Sequence, residues 1–276
     1  MQYPPVKEMA LEYGIPVFQP KKIRAPECVE ELRKYEADIM VVIAFGQILP
    51  KEILEMTPYG CVNVHASLLP STEGPRRSNG QSSMGEVSGV TTMQMDEGLD
   101  TGDMLLKEEV MLDEKETGGS LHDKLAEAGA KLCVRTLKAL EDGSAVREKQ
   151  GESPTEYARM LTKELGCIDW TKDAASIERL VRGLNPWPSA YTDWNGKVMK
   201  IWEAKDMEGE TGKAPGTIVK IEKDGFLVQA GAGLLKILEL QIPGKKRMKA
   251  DAFLRGYQVK KGRCWPPISE EIINNC

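Results

Sequence analysis

Cysteine, histidine and aromatic residues are all sparse in this chain of 276 residues. The six cysteines (Cys28, Cys61, Cys133, Cys167, Cys264 and Cys276) are scattered without a Cys-x-x-Cys pair, so neither a disulfide framework nor a zinc site is expected. His65 and His122 are the two histidines, with no ligand spacing between them, and no metal is expected. No apolar run reaches the roughly 18 residues of a membrane span. The opening residues, MQYPPVKEMALEYG, lack the apolar core of a signal peptide. A cytoplasmic protein with no membrane contact is the resulting expectation. Excess positive charge is missing too. A formal net charge of −5 argues against a generic nucleic-acid binder.

What is present is unevenly distributed. Residues 236–263 carry nine Lys or Arg against two acids, a local balance of +7, so the rest of the chain carries −12. An acidic body with one basic end can draw a polyanion to that end alone.

In chain order, Val6 to Gly14 reads as a helix stopped by glycine, Ile15-Pro16-Val17-Phe18 as a short strand, and Pro26 to Lys34 as a second helix. Asp38 to Ala44 is nearly all apolar and suits a central parallel strand covered on both faces. A turn over Phe45 to Pro50 leads to a short helix at Lys51–Met56, then a strand at Cys61–His65. Gly89–Met95 and Met104–Val110 read as strands. Thr117-Gly118-Gly119-Ser120 caps a long helix over Leu121–Asp142. Residues 144–165 are polar and irregular, a linker. Beyond a helix at Ile177–Leu184, short strands follow closely at 198–202, 216–221, 225–229 and 234–242. The pattern predicts an α/β, Rossmann-like domain with a mostly parallel sheet, then a small OB-like antiparallel barrel. The boundaries expected are a domain over 1–143, a linker over 144–165, a barrel over 166–262 and a tail from 263.

Ligands of such sheets sit beyond the carboxyl ends of the strands. Phe45-Gly46-Gln47 and Asn63-Val64-His65 are both such ends. Asn63 and His65, two apart on a strand, point to one side. An Asn amide can donate to a developing oxyanion, and a His can donate when protonated or act as acid or base. Asp100, on a glycine-bounded loop, can hold the imidazolium or relay a proton through water. The set suits acyl transfer through a tetrahedral intermediate. No covalent nucleophile stands out, since Ser67 lacks a G-x-S-x-G context.

Asn63-Val64-His65 with Ser67-Leu68-Leu69-Pro70, followed by Asp96-Glu97-Gly98-Leu99-Asp100-Thr101-Gly102, resembles the folate-dependent formyltransferase family. Leu184-Asn185-Pro186-Trp187-Pro188 and Gly244-Lys245-Lys246-Arg247-Met248 are similar to its branch that acts on aminoacylated tRNA. The resemblance runs from about Pro5 to Gly262, except for 71–88. It implies formyl transfer from 10-formyltetrahydrofolate to the amino group of methionyl initiator tRNA, by a monomer without metal. It implies that Asn63, His65 and Asp100 are catalytic. Ser67, Leu68, Leu69 and Pro70 would border the folate. The backbone around Phe45, Gly46, Gln47, Ile48 and Leu49, with Asp96 and Glu97, would hold its pterin. Lys245, Lys246 and Arg247 would grip tRNA phosphates. Two other readings remain open at this level: a folate-dependent formyltransferase acting on a small amine, and a catalytically dead tRNA-binding fragment.

The chain departs from the family's pattern twice. Family members open with a strand, a glycine-containing turn, a helix and a second strand, whereas this sequence enters near the end of that unit. The expectation is a domain short of one wall and of a central strand, with impaired activity. Second, residues 72–85 read Thr-Glu-Gly-Pro-Arg-Arg-Ser-Asn-Gly-Gln-Ser-Ser-Met-Gly, where the family has a segment like Tyr-Arg-Gly-Ala-Ala-Pro-Ile-Gln-Trp-Ala-Val-Ile-Asn-Gly. One choice of synonymous codons for 72–85, read one base earlier, encodes the family segment residue for residue. A frame-shifted passage, forming an exposed loop around Arg76 and Arg77 in place of an apolar helix, is therefore expected. Resequencing the gene tests the shift.

Overall fold

A computed structural model describes residues 3–70, 87–151 and 161–265. The expectations for 72–85, for the middle of the linker and for the tail past 265 fall outside the described residues. By packing, the chain divides into two compact units. One comprises 1–65, 92–106 and 133–150; the other comprises 66–91, 107–132 and 151–276.

In the first unit, α1 (Pro5–Glu12) and α2 (Pro26–Arg33) both start with proline, whose fixed φ and missing N–H suit a first helical turn. Gly14, at φ +66°, turns the chain out of α1. The strand expected at Ile15–Phe18 does not form. Four residues interrupted by a proline have no neighbouring strand to pair with, and Ile15, Val17 and Phe18 are exposed. β1 (Met40–Val42) is shorter than expected and lies at the end of its sheet, not at the centre. An apolar run does not count a strand's neighbours, and here it overstates the cover on its faces as well. Val41 and Ile43 are in fact 40% and 58% exposed. After α3 (Lys51–Leu54), β2 (Cys61–His65) pairs parallel with β1, placing Met40 opposite Cys61 and Val42 opposite Asn63. Ile23, Leu49, Ile53, Leu54 and Cys61 form the buried cluster beneath this pair. Burial alone pushes the Cys61 thiol up to about 11, so it is an inert core group.

β3 (Val87–Gln94) and β4 (Met104–Met111) complete the order β1-β2-β3-β4. The Gln94 N–H donates to the Asp103 carbonyl (2.8 Å), which closes these two strands as an antiparallel hairpin. The α/β expectation therefore holds, with a mixed sheet. Gly89 allows close approach, since a Cβ there would lie 2.3 Å from the Glu108 carbonyl oxygen. α4 (Gly118–Glu141) carries the reciprocal cap foreseen at its start. The Ser120 N–H donates to Thr117 Oγ1 (3.1 Å), and the Thr117 N–H donates to Ser120 Oγ (2.9 Å). No helix among the described residues is long and apolar enough to cross a membrane.

The second unit contains α5 (Ala174–Gly183), N-capped by Asp173, and a six-stranded antiparallel sheet. Its strands are β5 (Ala190–Asp193), β6 (Val198–Met207), β7 (Ile218–Glu222), β8 (Gly225–Gln229), β9 (Leu234–Gln241) and β10 (Met248–Lys249), and α6 (Ala250–Gly256) follows. The path runs β5-β6-β9-β8-β7, with β10 on β9. Alternate residues Met199 and Ile201, and Leu235 and Ile237, point inward and are fully buried. Trp265 closes this core. Its ring lies 5.2 Å from Trp170 and 5.8 Å from Phe226, and the Trp265 backbone N–H donates to the Gly216 carbonyl (2.9 Å). The buried core thus includes Trp265, in the stretch expected as a tail.

Candidate active site

β2 sets out the first two groups. Its period of two puts Asn63 and His65 on one side, both half-buried, while Cys61 and Val62 are fully buried at the strand's other end. The loop after β3 brings in the third. Asp100 Oδ1 lies 3.6 Å from His65 Nδ1, and the two side chains are 24% and 25% exposed. That separation is too long for a hydrogen bond, but it brings the carboxylate and the imidazole into one cluster. All three residues belong to the first unit.

The loop is held by its own polar groups. Asp96 Oδ1 accepts the Gly98 N–H (2.9 Å) and the Thr101 hydroxyl (2.7 Å). Gly102 presses against β3, where a Cβ would fall 1.7 Å from the Gln94 carbonyl oxygen. Asp100 sits at φ +56°, a left-handed conformation that Asp and Asn tolerate better than other side chains. Gln150 locks it there: its Nε2 donates to the carbonyls of Asp100 (2.8 Å) and Gly102 (2.7 Å). Sequence reasoning missed Gln150, which lies fifty residues away in a polar stretch that reads as linker. Gln94 was missed as well. Its Nε2 donates to the Tyr59 (3.2 Å) and Cys61 (3.0 Å) carbonyls, tying the end of β3 to the start of β2.

Phe45, Gly46 and Ile48 form an outward turn of the same unit. Ala44 and Gly46 have φ of +46° and +73°, and Phe45 and Ile48 are 41% and 67% exposed. Gln47 is occupied structurally, its Oε1 accepting the Ile23 N–H (2.9 Å), and Leu49 is buried in the core cluster. Glu97 is exposed, 3.6 Å from Lys51. In the second unit, Ser67 and Leu69 are 3% exposed while Leu68 and Pro70 are half-buried. Thr91 Oγ1 holds their backbone, donating to the Ser67 carbonyl (2.7 Å) and accepting the Leu69 N–H (3.0 Å).

The description "Formyl transferase" matches residues 1–137, and "Formyl transferase, C-terminal domain" matches 160–258. The chain belongs to the formyl transferase family. A curated relative from Agathobacter rectalis, named methionyl-tRNA formyltransferase, is 56% identical over 263 residues, covering 95% of this chain and 85% of its own length. Among solved structures, WlaRD, a sugar 3N-formyl transferase crystallised in the presence of dTDP and 5-N-formyl-THF, has a TM-score of 0.62 at 17% identity. That likeness covers 87% of this chain and 82% of WlaRD. HypX from Aquifex aeolicus, in complex with tetrahydrofolic acid, has a TM-score of 0.58 at 19% identity over 83% of this chain, which spans only 40% of HypX. At these identities the two structures speak to the formyl transferase fold alone.

The basic end of the sequence is less bare than its charge count suggests. Lys236 lies 2.9 Å from Glu222 and from Asp224, and Arg255 lies 2.8 Å from Asp251. Lys220 and Lys236 together hold the Glu222 carboxyl down at about 2. Arg247 donates to Glu239 (2.7 Å), and Lys249 reaches Glu203 (2.5 Å) and Glu239 (3.3 Å). Arg247, followed by Lys249, keeps the Glu239 carboxyl below its usual range despite its burial. Lys245 and Lys246 are exposed, and no ion pair among the described residues involves either. Of the expected basic loop, these two lysines carry the uncommitted charge.

Proposed function

We propose that the chain transfers a formyl group from 10-formyltetrahydrofolate to the amino group of methionyl initiator tRNA, with Asn63, His65 and Asp100 as its catalytic residues. The observation that carries this is the approach of Asp100 to His65, with Asn63 beside them on the same strand face. The folate would supply the formyl carbon and leave as tetrahydrofolate. The turn at 45–48 fits such a group: exposed Phe45 and Ile48 offer apolar surface to a flat ring, and the turn's backbone offers amide partners to the ring's edge.

The neutral amine attacks the formyl carbon, and a carbon–nitrogen bond forms as the carbonyl electron pair moves to oxygen. The Asn63 amide N–H and the protonated His65 donate to that oxygen. Donors aimed at developing charge are worth about 10²–10³ in rate each. Asp100, 3.6 Å from Nδ1, orients the imidazole for that donation. The amine proton passes to water within reach of Asp100 and ends on the departing folate nitrogen as its bond to carbon breaks. Lys245 and Lys246 neutralise tRNA phosphates.

Formylation of methionyl initiator tRNA by the purified chain is the test. His65→Ala and Asn63→Ala are each expected to lower kcat/KM by about 10²–10³, and Asp100→Asn by about 10², with circular dichroism unchanged. Faster formylation of a small sugar amine would overturn the substrate assignment. Salt-sensitive tRNA binding with no formyl transfer would overturn the catalytic one.

A further inference from the structure

One large aromatic side chain is displayed where folding gains nothing from it. Trp187 is 58% exposed, although its loop is held at every other point. Asn185 accepts the Gly119 N–H on its carbonyl (2.8 Å), and its Nδ2 donates to the Trp202 carbonyl (3.2 Å). The Ser189 N–H donates to the Leu184 carbonyl (2.9 Å), closing the loop behind Trp187. Pro186 packs on Gly119, where a Cβ would lie 2.8 Å from its ring, and Pro188 is buried. Prolines on both sides fix φ and remove donors. The indole is thus a preorganised apolar plate, and a ligand stacking on it need not order the loop first.

The surface reached through Asn185 is built for a polyanion with flat bases. Trp202 is the extra residue at a bulge in β6, where Ile201 faces Leu240 and Glu203 already faces Glu239. A bulge re-aims its side chain. The Trp202 indole N–H donates to Gln241 (3.2 Å), and Gln241 Nε2 donates to the Lys245 carbonyl (2.9 Å). The Arg247 guanidinium lies 5.1 Å and the Lys200 ammonium 5.6 Å from the Trp202 ring. Hydrogen bonds therefore link the Trp187 loop, Trp202 and the exposed lysines of the 245–246 loop into one tract within the second unit. Cationic groups interleaved with aromatic plates are how proteins hold unpaired nucleotides: phosphates meet the cations and bases stack on the rings.

We infer that Trp187 stacks on an unpaired base of the RNA substrate, while Lys245 and Lys246 neutralise the adjoining phosphates. The inference rests on the tRNA reading above and goes beyond it in assigning the Trp187 loop a direct RNA contact.

The experiment uses the full chain and two probes, a hairpin RNA with an unpaired 3′ tail and the same hairpin cut blunt, over a range of salt concentrations. Trp187→Ala is expected to weaken binding of the tailed probe about tenfold. It should leave the blunt probe and the slope of log affinity against log salt unchanged. Trp187→Phe, which can still stack, should retain most of the affinity. Lys245→Ala with Lys246→Ala should weaken both probes and reduce the salt slope by about one per lysine. Quenching of indole fluorescence by the tailed probe should largely vanish in Trp187→Phe. If Trp187→Ala leaves the tailed probe bound as tightly as before while the lysine variant weakens it, the inference fails and the tRNA reading stands. If Trp187→Ala alters self-association but not RNA binding, the plate serves a second copy of the chain and the inference also fails. If the unmodified chain binds neither probe, both fall together.

Discussion

Residues 3–65 and residues 190–265 contain similar kinds of apolar side chain and place them very differently. In the first stretch Val6, Met9, Leu11, Tyr13, Ile15, Phe18, Ile43 and Ile48 are all more than 45% exposed, and α1 has no buried residue. In the second, Met199, Ile201, Ile218, Phe226, Leu235, Ile237, Phe253 and Trp265 are all within 1% of complete burial. Burial of apolar surface is the main favourable term in folding. The six-stranded sheet should therefore hold on its own contacts, and the β1–β2 region, which carries Asn63 and His65, should be the softer of the two. The proposed catalytic residues Asn63 and His65 thus lie on the less buried scaffold, while the proposed RNA surface belongs to the more tightly packed one.

The sharpest way to break that comparison is at Trp265. Trp265→Ala removes a ring that touches Trp170, Trp194 and Phe226 at full burial. The expected loss is about 3–5 kcal/mol of stability in the second unit, read by chemical denaturation. A loss below about 1 kcal/mol would show that the sheet's core does not depend on its closing residue, against the general cost of core cavities.

A smaller effect is expected at Glu116, in the same unit. Burial alone would raise this carboxyl's pKa. The Asp113 N–H, Lys124 and Ser120 outweigh burial and hold it below the usual value of 4.5. Its contribution is thus fully present above about pH 4.5 and is lost as pH falls through the lower, folded value. Glu116→Gln should cost about 1 kcal/mol at neutral pH. Its midpoint of thermal unfolding should approach that of the unmodified chain as the pH drops below 4. A gap that stays constant down to pH 3 would contradict this.

How far the sequence foretold these features follows from where the information lies. Asn63, His65 and Asp100 were legible because strand periodicity and a short glycine-bounded loop are local signals. The α4 cap was legible for the same reason, since Thr117 and Ser120 are three residues apart. Gln150, which fixes the backbone of Asp100, was not: a glutamine in a polar segment is silent until the fold returns it to the loop. Trp265 was invisible as a core residue because it follows Lys260-Lys261-Gly262-Arg263, which looks like the start of a solvated tail. The basic excess over 236–263 was real but overstated. Its neutralising acids Glu203, Glu222 and Asp224 lie on other strands or turns, outside the counted window. The edge position of β1 was unreadable because hydrophobic runs do not count neighbours.

That edge gives the smallest and most discriminating measurement. Ile43, just past β1, is 58% exposed, so replacing it by threonine removes little buried surface. Threonine also keeps the β-branched shape that suits extended backbone. Ile43→Thr is expected to change stability by less than about 0.5 kcal/mol, as surface substitutions do, and to leave formyl transfer within about twofold, well short of the tenfold per 1.36 kcal/mol of barrier. A loss above about 1 kcal/mol would place Ile43 among covered residues. The softness assigned to the β1–β2 region would then be wrong, and the two stretches would differ in sequence but not in how tightly they are packed.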